Sequence, residues 1–218
     1  MPRRKRSWSF SRRKKQVKID EGYVKFSLSM TDGDVPKHPD WEKLNEARGS
    51  LHQLGLIGTY PNGIGFGNAS MRNSGLEFII TGTATGGIPI LRETDYCLVQ
   101  SFELEKNHVR ATGRTKASFE SMTHGAIYSA DESIRCVLHF HNRKIFDSML
   151  LDGTVPKTKK DVEYGTPRMA SAMDQIVRSR AKSHGFFATE GHDEGIFVYG
   201  PSIEEALEQT YVLLRRFG

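Results

Sequence analysis

The sequence predicts an α/β fold, with one central, largely antiparallel sheet covered by helices and no second globular domain. Three observations predict it. Short apolar runs, alternating or continuous, recur along the chain and stand beside one another as hairpin neighbours. Segments of helical period, with recognisable caps, fall between groups of these runs rather than at one end. The chain has 218 residues, 37% of them hydrophobic, enough to bury one sizeable core. Twelve Phe, seven Tyr and two Trp exclude disorder over the whole length. Neither a Gly-X-Y repeat nor a sustained heptad is present, and no apolar run approaches the ~20 residues of a membrane-spanning helix.

Residues 1–20 are expected to form a basic, disordered tail, and residues 21–218 the domain. Of the 31 Lys and Arg, nine fall in residues 1–18 without an acid; the other 22 face 26 Asp and Glu, so the domain is net negative. Such a tail suits contact with nucleic acid or an anionic surface. Trp8 and Phe10, interleaved with its charges, suit binding as well. No apolar segment of a secretory signal follows the N-terminus. Cys97 and Cys136 are too few to staple a domain of this size, so reduced thiols and a cytoplasmic location are expected.

Each element has its own signal. Tyr23–Leu28 alternates and reads as a strand, followed by an Asp-, Gly- and Pro-rich loop over Thr31–Pro39. Asp40 can cap a helix whose apolar positions are Trp41, Leu44, Ala47, Leu51 and Leu54, ending near Gly55. Tyr60–Gly67 is turn-rich, with strands expected at Phe66–Arg72 and Leu76–Thr81. Tyr96–Leu104 and His108–Thr112 form a hairpin turning at Lys106–Asn107. Ser118 can cap a helix running to about Ala130, with Glu120 in its first turn, where the helix dipole favours a carboxylate. A strand at Ile134–His141 comes next. Thr166 with Pro167 opens a helix along Met169, Met173, Ile176 and Val177. After strands at Phe186–Thr189 and Gly195–Tyr199, Ser202 and Glu205 form a capping box. The helix they open buries Ile203, Ala206, Leu207, Thr210, Tyr211 and Leu214.

The most informative segment is Cys136-Val137-Leu138-His139-Phe140-His141. Side chains alternate along a strand, so His139 and His141 share a face about 6–7 Å apart and can converge on one metal ion. With eight histidines in the chain, such a pair arises by chance in roughly one sequence in three, so the pair alone is a weak signal. A catalytic zinc needs a third ligand and an open position. His124, His184 and His192 are the candidates. His124 suits a packed helix residue, and His184 beside Gly185 suits capping of helix-end carbonyls. His192 sits in the glycine-flanked turn Glu190–Gly195, with acids able to orient its ring. Gly63–Ser70 carries closely spaced glycines, but a strand rather than a helix follows, which excludes a dinucleotide fingerprint. Thr81–Gly87 has no P-loop lysine, yet its backbone N–H groups and hydroxyls can cradle an anion.

Taken in order, Gly67-Asn68-Ala69-Ser70, Thr81-Gly82-Thr83, Ser118-Phe119-Glu120, His139-Phe140-His141 and Gly191-His192 resemble the class II aldolase/adducin family, over about Trp41 to Leu214. The resemblance implies a three-layer fold, with the central antiparallel sheet between helical layers, and a tetramer with active sites between subunits. It implies a divalent metal, most often Zn2+, on His139, His141 and His192, and Glu120 as acid/base. It assigns Asn68, Gly82, Thr83 and Ser118 to the substrate or its phosphate. The implied activity is that of a metal-dependent carbon–carbon lyase on a small hydroxy-carbonyl compound or sugar phosphate, through a metal-stabilised enediolate. An epimerase, dehydratase or decarboxylase would use the same groups, and an adducin-like scaffold would use none of them. Phe119 replaces the second serine of the family's Ser-Ser-Glu element, Gly65 stands three residues before Asn68 where a phosphate-binding aldolase offers threonine, and Asp193 and Glu194 separate His192 from Gly195. These departures bear on a phosphorylated substrate more than on the metal.

Overall fold

A computed structural model describes residues 26–35, 37–180 and 182–218. The tail expected over residues 1–20 and the start of the strand expected at Tyr23–Leu28 lie outside the described residues. The described chain runs through β1 (Ser27–Thr31), α1 (Trp41–Gln53), β2 (Gly58–Thr59), β3 (Gly65–Phe66), β4 (Asn68–Arg72), β5 (Phe78–Thr81), β6 (Tyr96–Glu103) and β7 (His108–Gly113). It continues through α2 (Ser121–Ala130), β8 (Cys136–His141), α3 (Arg143–Leu151), β9 (Lys157–Thr158), α4 (Pro167–Ser179), β10 (Gly185–Thr189), β11 (Gly195–Gly200) and α5 (Ile203–Phe217).

Nine strands form the central sheet, in the order β1-β7-β6-β5-β4-β8-β11-β10-β9. Its inner pairs are antiparallel; the edge pairs β1–β7 and β9–β10 are parallel. One face carries Leu44, Ala47 and Leu51 of α1, Ile145 and Met149 of α3, and Ile203, Ala206 and Leu213 of α5, packed on Ala69, Leu138, Phe140 and Ile196. The opposite face carries Met122 and Ala126 of α2 with Met169, Met173 and Val177 of α4, over Ile80, Val137 and Phe197. Helices therefore cover both faces, and the sheet centre is apolar on both sides. That is why β8 reads as a continuous buried run.

The structure corrects several expected boundaries. The strand expected over Phe66–Arg72 breaks at Gly67, which has φ +79°. A Cβ there would lie 2.7 Å from Ile57 Cγ1 and 3.0 Å from the His139 carbonyl oxygen, so only glycine fits. Phe66 consequently belongs to the separate β2–β3 hairpin. The helix expected from Ser118 starts at Ser121, because the Ser118 carbonyl accepts from both the Ser121 N–H and its hydroxyl in a turn that precedes the helix. Glu120 is thus the residue before the helix rather than part of its first turn. Helix α3 was not expected at all; Asn142 caps it, its Oδ1 accepting from the Ile145 N–H at 3.0 Å. In α5, Ser202 does accept from the Glu205 N–H. Its buried face holds Leu213 instead of Leu214, and Tyr211 points outward. His184 lies beyond the end of α4, 3.8 Å from Glu205, and among the described residues no hydrogen bond joins it to the last carbonyls of that helix. Among the described residues, no helix is long and apolar enough to cross a membrane.

Candidate metal centre and active site

The site lies where β4, β8 and β11 meet at the middle of the sheet. Alternation along β8 sends Leu138 and Phe140 toward α1 and α5, and Val137 toward α2 and α4. His139 and His141 therefore share the second face. His139 stands in register between Asn68 of β4 and Phe197 of β11, and its ring stacks on Phe197 with centroids 4.1 Å apart. His192 arrives on the turn between β10 and β11. Both glycines flanking that turn are sterically required: a Cβ at Gly191 would lie 1.8 Å from the Val162 carbonyl oxygen, and one at Gly195 would lie 2.4 Å from Thr189 Oγ1 and 3.0 Å from His192 Nδ1. Asp193 and Glu194 fit within the turn without carrying His192 away. Ligand atoms of His139, His141 and His192 all lie within 4.8 Å of one another, and all three residues are buried.

This cluster has the chemistry of a cation site. Burial, reinforced by the neighbouring imidazoles, holds His139 and His141 well below the usual imidazole pKa, so both are neutral, as metal ligands must be. His139 Nδ1 lies 3.0 Å from the Ile196 carbonyl oxygen. A carbonyl only accepts, so Nδ1 carries the proton and Nε2 keeps its lone pair. That Nε2 faces Nε2 of His141 at 3.1 Å. Three imidazoles clustered in a buried pocket, two of them held neutral and one with an orienting hydrogen bond behind it, fit a divalent ion such as zinc.

Beside the cluster is a cavity of about 400 Å3 whose wall includes Asn68, Gly82, Thr83, Ser118, Glu120, His139 and His192. The structure thus brings together the residues that the resemblance assigns to the site; His141 joins through the histidine cluster rather than through the cavity wall. Glu120 is 5% exposed, and its Oε1 lies 3.4 Å from His192 Nδ1. Asn68 is also buried, and its Oδ1 has no hydrogen-bond partner among the described residues. Gly82 and Thr83 are brought against Ser118 by a β-bridge between Gly82 and Ala117 and by the Thr83 N–H donating to the Lys116 carbonyl at 2.8 Å. Gly82 is small for packing reasons, since a Cβ there would lie 2.2 Å from Thr115 Cγ2. The Ser118 hydroxyl accepts from the Glu120 N–H at 3.3 Å and helps to fix that carboxylate's backbone. His124, by contrast, is wholly buried and bonded to Ser70 Oγ at 2.7 Å, a packed helix residue.

Sequence reasoning missed four contributors. Tyr164 stacks on His192, with centroids 4.5 Å apart. Lys116 is exposed and lines the cavity. Tyr60 places its hydroxyl 2.8 Å from His141 Nδ1. Arg48 of α1, 1% exposed, donates to the carbonyls of Thr85, Gly86, Ile88 and Pro89 and so fixes the loop that carries Thr83 and Thr85. Lys116 stands two residues before the Ser118-Phe119-Glu120 motif, whereas no spacing rule connects Tyr164, Tyr60 or Arg48 to the motifs.

No curated protein sequence matches the chain. Among solved structures, the chain is similar to L-fuculose-1-phosphate aldolase from Thermus thermophilus, at 22% identity and a TM-score of 0.59, covering 80% of this chain and 89% of that one. It is similar to an aldolase II superfamily protein from Pseudomonas syringae, at 17% identity and a TM-score of 0.58, covering 84% of this chain and 77% of the other. It also resembles YgbL from Klebsiella pneumoniae, for which aldolase, epimerase and decarboxylase activities are each suggested. That match has 18% identity, a TM-score of 0.59, and coverage of 80% and 84%. At these identities the likeness establishes the fold. The model of the Class II Aldolase and Adducin N-terminal domain matches residues 60–217, most of the chain and every residue of the cluster and its cavity wall, and on that match the protein belongs to this family.

Proposed function

We propose that the protein is a metal-dependent lyase of aldolase type, acting on a small hydroxy-carbonyl compound, with sugar phosphates within its range. The observation that carries this reading is the buried cluster of His139, His141 and His192 with the Glu120 carboxylate at its edge, and with His139, His192 and Glu120 opening on one cavity. A divalent ion held by the three imidazoles, zinc by the nature of the donors, supplies Lewis acidity toward the substrate's oxygens. Glu120 takes or returns the proton at the substrate carbon beside the carbonyl, or at the hydroxyl oxygen that becomes a carbonyl as the C–C bond breaks. Asn68 Oδ1 accepts from a substrate hydroxyl, and the Thr83 and Ser118 hydroxyls orient the other end. Phe66, Phe119 and Tyr164 wall the cavity and limit water. We further propose that the protein works as a homotetramer.

Phe119 supports a second reading, because an apolar ring lines the cavity where the family pattern has a hydroxyl. The substrate would then lack a phosphate at that point, and the same proton transfer would serve epimerisation, dehydration or decarboxylation. Product analysis over a panel of phosphorylated and free hydroxy-carbonyl compounds tests both. Release of an aldehyde fragment by the zinc-loaded protein, abolished in Glu120→Gln, is the expected result. Loss of water or carbon dioxide, or inversion without a fragment, would select the second reading. Absence of turnover together with absence of bound metal would leave only a scaffold role.

A further inference from the structure

The environment of His141 holds a chain of hydrogen bonds that the proposed chemistry does not use. The Tyr60 hydroxyl donates to Glu194 Oε2 at 2.9 Å and lies 2.8 Å from His141 Nδ1. Glu194 Oε1 in turn accepts from Arg143 Nε at 3.0 Å. Arg143 opens α3, two residues after His141, so the anchor and the histidine hang from the same end of β8. Glu194 is one of the two residues that separate His192 from Gly195. It holds φ +65°, a conformation that a β-carbon disfavours, in the position that presents its carboxylate to Tyr60 and Arg143.

The protons in this chain can be counted. A phenol has one proton, and a carboxylate paired with a guanidinium has none to give. Were the Tyr60 O–H directed at His141 Nδ1 instead, two oxygens without a proton between them would face each other at 2.9 Å. With the Tyr60 O–H directed at the Glu194 carboxylate, the Tyr60 oxygen accepts from His141 Nδ1–H, and both contacts are hydrogen bonds. We propose that Tyr60 and Glu194 are positioning residues for His141: the Tyr60 hydroxyl, anchored by the Glu194 carboxylate, takes the His141 Nδ1–H and leaves Nε2 as the lone pair that faces a cation. The inference rests on the three-histidine cluster being a metal site. It explains the 3.1 Å approach of the His139 and His141 Nε2 atoms, because each ring is then fixed by an acceptor behind it, the Ile196 carbonyl for His139 and Tyr60 for His141. Two facing lone pairs are held together favourably only by a positive charge between them. A tyrosine inserted between carboxylate and histidine also lets Glu194 support the ligand while remaining paired with Arg143.

Tyr60→Phe removes the hydroxyl and keeps the ring, which packs on Phe66 with centroids 4.5 Å apart. Two measurements test the proposal. In the metal-free protein, long-range proton–nitrogen correlation of labelled histidine reads the tautomer directly; His141 is expected as Nδ1–H in the wild type and as a mixture in Tyr60→Phe. In chelator competition with zinc or cobalt, Tyr60→Phe and Glu194→Gln are each expected to bind roughly 10–100-fold more weakly than the wild type. A wild-type His141 carrying its proton on Nε2 overturns the proposal, and so does Tyr60→Phe binding within about twofold of wild type. Should Tyr60→Phe not fold, Glu194→Gln and the wild-type tautomer decide in the same way. His139→Ala separates the underlying reading: wild-type protein that takes up no zinc or cobalt, or whose binding is unchanged in His139→Ala, removes the metal site itself. Normal uptake lost only in His139→Ala removes the relay alone.

Discussion

The Glu120 carboxylate, 3.4 Å from the His192 imidazole, can either steady that ring or move a substrate's proton, and substitution separates the two roles. Glu120→Gln keeps the volume and hydrogen-bonding capacity of a residue that is 5% exposed. If Glu120 is the acid/base, turnover falls by about 10²–10⁴-fold while metal stays bound; His139→Ala loses both. Metal content measured beside turnover distinguishes them, and metal loss in Glu120→Gln as complete as in His139→Ala would make Glu120 a support for the site. His124 gives a prediction about stability rather than catalysis. Burial lowers its pKa from 6.5 to about 3, so it is neutral in the fold and takes up a proton on unfolding at acid pH. Its contribution is present above the unfolded value of 6.5 and is lost as pH falls from there toward 3, by up to ~1.4 kcal/mol per pH unit. Urea unfolding of wild type and His124→Gln between about pH 7 and pH 4 should therefore show a shallower acid slope in the variant, and equal slopes would refute the assignment.

At the scale of elements, α1 ties a loop as well as covering the sheet. Arg48 follows Leu44 and precedes Leu51 at helical spacing, so it faces inward with them. Its guanidinium ends among four carbonyls of the loop between β5 and β6. Arg48→Met keeps much of the apolar stem and removes every donor. Leaving those carbonyls unsatisfied is expected to cost roughly 1–3 kcal/mol and to open residues 82–91 to protease. Denaturant midpoints together with mapping of the cleavage site check this; unchanged cleavage would mean that the loop is held from elsewhere. The same helix shows what a sequence reveals. Its apolar period was legible, while a cation on the apolar face carried no signal, because its partners are main-chain carbonyls some forty residues away. Helix α3 follows β8 directly after Asn142 and spans only nine residues, so its apolar Ile145, Phe146 and Met149 give a helical period little length in which to show. The start of α2 was misplaced because Ser118 is a good capping residue by type, while its carbonyl is taken by a turn to Ser121 that only the structure reveals.

At the scale of the whole molecule, the site depends on a strand order that departs from chain order. β8 pairs with β4 on one side and β11 on the other, so Asn68, His139 and the turn bearing His192 become neighbours although 124 positions separate the first from the last. Period-two alternation revealed the His139–His141 pair, but it left three candidates for the third ligand; the ordered set of motifs narrowed these to His192, and Tyr60 and Tyr164 became visible only through packing. A metal on the three histidines would therefore clamp β8 to the β10–β11 turn, a constraint the unfolded chain does not share. Anything that binds only the folded state stabilises it by RT ln(1 + [L]/Kd), about 4 kcal/mol when the free metal is roughly a thousandfold above Kd. For a chain of this size, about 1 kcal/mol moves Tm by about 2–4 °C, so stripping the metal should lower Tm by roughly 8–16 °C. Thermal melts of metal-loaded, chelator-treated and zinc-restored protein should show that fall and its recovery, with His139→Ala melting like the stripped wild type under all three conditions. A wild-type Tm indifferent to chelator and to added zinc would mean that β8 and the β10–β11 turn are held by packing alone, because a clamp between two elements of the native sheet has to register in its melting.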